Sequence, residues 1–121
     1  MTNPNQLGLI EKTALAQVLH SFYNRIENIF IVIAKTIDKQ IPSGILRHKE
    51  LLQQISEPTK DRPGIISENT REQLLEYLGF RHVVRHIYST NLDPERIEGL
   101  ALRMEKIWDL VKGEIETFLS L

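Results

Sequence analysis

Cysteine is missing from all 121 residues, so neither a disulfide framework nor a thiolate metal site can form. Long apolar runs are missing too. The longest, Ile29 to Ala34, falls far short of the roughly 20 residues needed to span a bilayer. Met1 to Gln6 lacks the cationic start and apolar stretch of a secretion signal. These absences lead to the expectation of a soluble chain in the reducing cytoplasm, with no membrane partner. Neither sign of charge dominates. A net charge of −1 excludes a basic field over the whole molecule, so contact with nucleic acid has to come from locally concentrated cations. Period-two alternation, Asn-Gly or Asp-Gly hairpins, glycine-rich phosphate loops, internal repeats and low-complexity tracts are all absent from the sequence.

What remains is helical periodicity. With 41% hydrophobic residues, 121 residues suffice for one core, and a single domain over 1–121 is expected. From about Leu7 to Asp38, the residues Leu7, Ile10, Ala14, Val18, Phe22, Ile26, Ile29, Ile33 and Ile37 recur at three- and four-residue steps. That spacing predicts one long amphipathic helix, with His20, Tyr23, Asn24 and Arg25 at its surface or the edge of the core. Pro42-Ser43-Gly44 breaks it, and Ser43 is positioned to cap a shorter helix from about Ile45 to Ile55. His48, between Arg47 and Lys49, is expected in solvent. Pro58 and Arg62-Pro63-Gly64 frame a shaped loop. A third helix starts near Ser67 or Asn69, either of which can cap it, and carries Leu74, Leu75, Tyr77, Leu78 and Phe80. Asn91 to Pro94 ends it and opens the last helix, with Asp93 as cap, Pro94 at the first helical position, and Leu92 and Ile97 spaced for a staple. In that helix Ile97, Leu100, Met104, Ile107, Val111 and Phe118 form the stripe, and Trp108 is expected in the core or a dimer interface. The fold class is therefore all-α, an up-and-down bundle of four main helices. Its broad stripes leave surplus apolar surface that a symmetric dimer would bury.

Reactive side chains concentrate in Arg81-His82-Val83-Val84-Arg85-His86-Ile87-Tyr88. If the third helix runs on through Tyr88, one half of it is apolar, with Phe80, Val83, Val84 and Ile87. The other half then holds every titratable or cationic group. Arginine grips phosphate oxygens with a planar fork, and histidine moves a proton near neutral pH. RNA carries its own nucleophile in the 2′-hydroxyl, so these groups suffice for cleavage without a metal. A zinc pair at His82 and His86 is disfavoured: no acidic residue lies between them, and Arg81 and Arg85 oppose a cation. A solvated face pairing with Glu72, Glu76 or Asp93 accounts for the same residues without any activity. Arg81 and His86 would also lie about 140° apart on a regular helix, so either the helix distorts near Tyr88 or, the favoured reading, a second subunit completes the site.

The motif and its surroundings resemble the HEPN superfamily, specifically HepT-like ribonuclease toxins. Their signature is Arg, four to six residues, His, any residue, Tyr. Arg81, the four residues to Arg85, then His86, Ile87 and Tyr88 match it with the shortest spacing, and His82 fills a place that is usually polar. A long first helix, Leu51-Leu52 in a short second helix, and Phe80 directly before the arginine agree with the family. The resemblance implies an all-α homodimer whose two motifs meet in a cleft, with Arg81 and His86 as the catalytic pair and His82 in support. It implies an RNA substrate, tRNA or mRNA, no cofactor, and a cognate nucleotidyltransferase antitoxin of the MntA type that can attach AMP to Tyr88. Arg85 falls in the variable spacer, so a phosphate contact there rests on its charge alone. A non-catalytic HEPN partner that holds nucleotide or substrate for a nucleotidyltransferase is the alternative, and a purely structural bundle is a third reading.

Overall fold

The computed structural model describes residues 9–85 and 94–121. Helix α1 spans Leu9–Ile33, α2 Arg47–Ser56, α3 Glu68–Arg85 and α4 Pro94–Leu119. No strand occurs among the described residues, and the all-α class with four helices stands. Pro94 does occupy the first position of α4, where its fixed φ suits a helix and its missing N–H is no loss. Asp93 and Leu92, expected to cap and staple that helix, lie outside the described residues.

Helix α1 packs against all three others and supplies the largest share of the core of any helix. Ala16, Leu19, Tyr23, Ile26, Phe30 and Ile33 are buried at alternating three- and four-residue steps. They meet Leu51, Leu52 and Ile55 of α2, Leu74 and Tyr77 of α3, and Ile97, Leu100, Ile107 and Val111 of α4. This corrects the expected stripe. Val18 is 48% exposed, and Phe22 and Ile29 are only half-buried, whereas Tyr23 is sealed in the core. Helix α1 carries two adjacent apolar stripes, and the three neighbouring helices cover the one that includes tyrosine.

The expected single helix to Asp38 also changes form. Ala34–Asp38 is a π-helical turn, closed by Lys39 in the left-handed region at φ 57°. Asp38 thereby meets the loop after α2. Arg62 donates Nε and Nη2 to the two Asp38 oxygens at 2.7 Å each. Its remaining donors reach the carbonyls of Glu57, Pro63 and Gln54 at 3.0–3.1 Å. The Arg62 guanidinium, hydrogen-bonded to Asp38, holds that carboxyl below the usual carboxylate range against the opposing effect of burial. Beside it, Gly64 passes so close to α2 that a Cβ there would stand 2.5 Å from the Ser56 carbonyl oxygen. The loop is shaped, as its prolines and glycine suggest, but a buried arginine anchors it.

Ser43 does not cap α2, which begins two residues later than expected. Leu46 holds the capping position without a side-chain hydrogen bond. The Arg47 guanidinium instead donates to the Gly44 carbonyl at 3.0 Å, and Gly44 takes φ +104°, which a side chain would resist. At α3, Ser67 is the cap: its hydroxyl oxygen accepts the Thr70 N–H at 3.1 Å. Glu114 of α4 completes this end, accepting the Ser67 N–H at 2.9 Å and the Thr70 hydroxyl at 2.7 Å.

Candidate functional site

Arg81, His82 and Arg85 belong to the last two turns of α3, which ends its described course at Arg85. His86 and Tyr88 lie outside the described residues, as does the expected continuation of the helix through Tyr88. The structure therefore fixes what holds the motif-bearing helix. Leu74 and Tyr77 face inward and are buried two turns and one turn before Arg81, respectively. The Tyr77 hydroxyl donates to the Leu100 carbonyl of α4 at 2.7 Å, and burial pushes its pKa up. A phenol kept protonated in this way remains a donor over the whole physiological range. The Phe22 ring meets the Tyr77 ring edge-on, with centroids 5.3 Å apart. Helix α3 is thus tied to α1 and α4 immediately before the motif begins.

Two arginines of α4 lie alongside α3 just ahead of the motif. Arg103 contacts Glu76 at 3.3 Å, and Arg96 lies 3.9 Å from where a Cβ on Gly79 would stand. Glu76 was one of three acids able to neutralise the motif as an ordinary solvated face. It is partnered by Arg103, and Asp93 lies outside the described residues. Among the described residues, no group of three metal-ligating side chains comes together.

A groove runs between α1 and α4 beside this region. Phe22, Arg25, Ile26, Ile29, Met104, Glu105 and Trp108 line one chamber of about 470 Å³. Gln17, Val18, Ser21, Phe22, Arg25 and Met104 line the next, of about 400 Å³. The outer stripe of α1 forms its floor, and Trp108 stands 38% exposed at its wall. The sequence placed Trp108 in the core or at an interface, and it borders the groove rather than filling the core.

Two other arrangements escaped the sequence reading. His48, expected in solvent, places Nδ1 2.8 Å and 2.9 Å from the two carboxylate oxygens of Glu27, itself 6% exposed in α1. Asn24 and His20 also meet, at 3.2 Å. An acid inside the α1 stripe at position 27 was the signal for the first pair, since a buried carboxylate requires a partner. Comparison with protein-family models gives a match over residues 14–121 to the family described as "HepT-like protein". No curated protein and no solved structure matches the chain.

Proposed function

The chain belongs to the HepT-like family of the HEPN superfamily, and from that premise we propose that it is the endoribonuclease toxin of a HEPN–nucleotidyltransferase toxin–antitoxin pair. One observation carries the proposal: the family match takes in the whole of Arg81-X4-His86-X-Tyr88. The His86 imidazole removes the proton of an RNA 2′-hydroxyl, and that oxygen bonds to the adjacent phosphorus. The bond from phosphorus to the 5′ oxygen then breaks, leaving a 2′,3′-cyclic phosphate and a 5′-hydroxyl that has gained a proton. Arg81 offsets the charge that accumulates on the phosphorane. His82 supports the pair, and Arg85 adds a phosphate contact.

A second copy completes the site. The apolar groove between α1 and α4 supports this, since Arg25 and Glu105 line it from opposite helices. Two-fold pairing brings Arg25 of each copy to Glu105 of the other. Tyr88 accepts AMP from the nucleotidyltransferase antitoxin, and the added bulk and negative charge repel an RNA phosphate.

The test is cleavage of tRNA and mRNA by purified protein. His86→Ala should lower the rate by at least about a hundredfold, the usual contribution of a general base, while circular dichroism stays unchanged. Cleavage should survive EDTA, and its loss there would overturn the metal-free mechanism. Protein that binds nucleotide yet leaves RNA intact would show a non-catalytic partner of a nucleotidyltransferase instead.

A further inference from the structure

The turn between α1 and α2 is an exposed apolar knob ringed with cations. Ile45 is 94% exposed, Leu46 59% and Ile41 38%. Lys35, Lys39, Arg47 and Lys49 flank them along the chain, all exposed and none in an ion pair among the described residues. Of the acids in the same stretch, Asp38 is occupied by Arg62, which leaves Glu50 as the exposed one. The turn is also held in shape, by Gly44 at φ +104° and by the Arg47 contact to its carbonyl. A rigid tip with one bulky aliphatic side chain at its apex is suited to enter a pocket, since little entropy is lost on docking.

At the other end of α2 and along the C-terminal half of α4 lies an opening of complementary character, about 860 Å³ in volume. Ile65, Ile66, Leu110 and Phe118 give it an apolar lining. Glu68, Asp109 and Glu114 are its charged residues, and no lysine or arginine lines it. Glu68 also faces Arg71 at 3.5 Å and Glu114 bonds Ser67 and Thr70, which leaves Asp109 as the acid with no ion pair or hydrogen bond among the described residues. None of the knob residues lines it either, so the two features do not satisfy each other within one chain.

We propose that these are two halves of one contact: the Ile45–Leu46 knob of one copy docks into the acidic groove between residues 56–68 and α4 of another. Opposite charge and matching aliphatic chemistry argue for this occupant. The aliphatic tip, lacking any aromatic platform for bases, disfavours RNA. The contact is heterologous, so it leaves one knob and one groove open at its ends and propagates with concentration. It uses neither the α1–α4 groove nor the motif, and stands apart from the proposed activity.

Sedimentation velocity of the full chain over a range of concentrations tests it, with circular dichroism confirming that each variant is folded. Wild type should grow with concentration beyond the mass that Ile45→Glu retains. Leu110→Glu should abolish the same growth, and Asp109→Lys, at an exposed position, serves if Leu110→Glu misfolds. Mixing Ile45→Glu with the groove variant should restore association that neither shows alone, because one supplies the groove and the other the knob. The association should weaken from about 0.1 M to 1 M salt, as the screening length falls from about 10 Å to about 3 Å. Wild type that never exceeds the Ile45→Glu mass overturns the proposal. So does growth that Ile45→Glu abolishes and both groove variants leave intact, an outcome that would assign the knob to a different acidic surface.

Discussion

The two apolar stripes of α1 are neighbours on one helix and have different fates. Leu19, Tyr23, Ile26 and Phe30 are at most 1% exposed, whereas Val18 and Val32 are 48% and 61% exposed. Hydrophobicity does not separate them, since the outer stripe is as aliphatic as the inner. What separates them is the neighbour: α2, α3 and α4 together cover one side of α1, and a tyrosine with a hydroxyl was admitted there while valines were left out. The inner stripe holds the fold together, and the outer one is surface available for assembly.

The contrast can be broken by truncation on each side. Phe30→Ala should destabilise the bundle by about 3–5 kcal/mol, through lost transfer energy and a residual cavity. Val32→Ala, two residues away, should stay within about 0.5 kcal/mol. Urea unfolding of the two variants decides it, and equal shifts would show that the outer stripe is also core.

The inner side continues past Ile33 into polar territory, where Asp38 and Arg62 are 6% and 2% exposed at their side chains. Arg62→Ala leaves a buried carboxylate without its cation, which costs about 3–5 kcal/mol. Acid provides the independent check. The folded carboxyl titrates below its unfolded value of about 3.9, so its contribution is complete above that pH and fades as pH falls through the lowered value. Wild type should lose stability steeply below about pH 4, and Arg62→Ala should have lost that part of the slope. An unchanged acid profile would mean that the pair does not bear on folding.

A smaller loss than that at Phe30 or Arg62 is expected at the one acid on the buried side of α1. His48→Ala leaves Glu27 without its α2 partner and should cost about 1–3 kcal/mol. In a double-mutant cycle with Glu27→Gln the coupling between the two positions should be well above zero. Additive effects would return His48 to the surface role its neighbours Arg47 and Lys49 suggest.

Much of this architecture was legible from spacing. The all-α class, the Pro94 start of α4, Ser67 as one of two caps for α3 and the shaped loop at Pro58–Gly64 follow from local rules that hold wherever the chain goes. The family was legible from Arg81, His86 and Tyr88 at their intervals, and the match over 14–121 establishes it. The chemistry assigned to those three side chains remains a proposal that cleavage assays decide. Local rules failed where a residue's role depends on a distant one. Ser43 is a good cap by type, but Arg47 and Gly44 shape that turn instead. His48 looks solvated between two cations until Glu27, twenty-one positions earlier, comes to face it.

Side-chain type at short spacing sets that the chain is helical, where α3 and α4 begin, and which family it joins. Packing alone sets which stripe of α1 is core, that Asp38 ends a π-helical turn to reach Arg62, and that Glu27 is buried against His48. Periodicity identifies an apolar face but carries no information about what will cover it. Burial and charge pairing are set by whichever helix arrives alongside, and that is a property of the packed bundle.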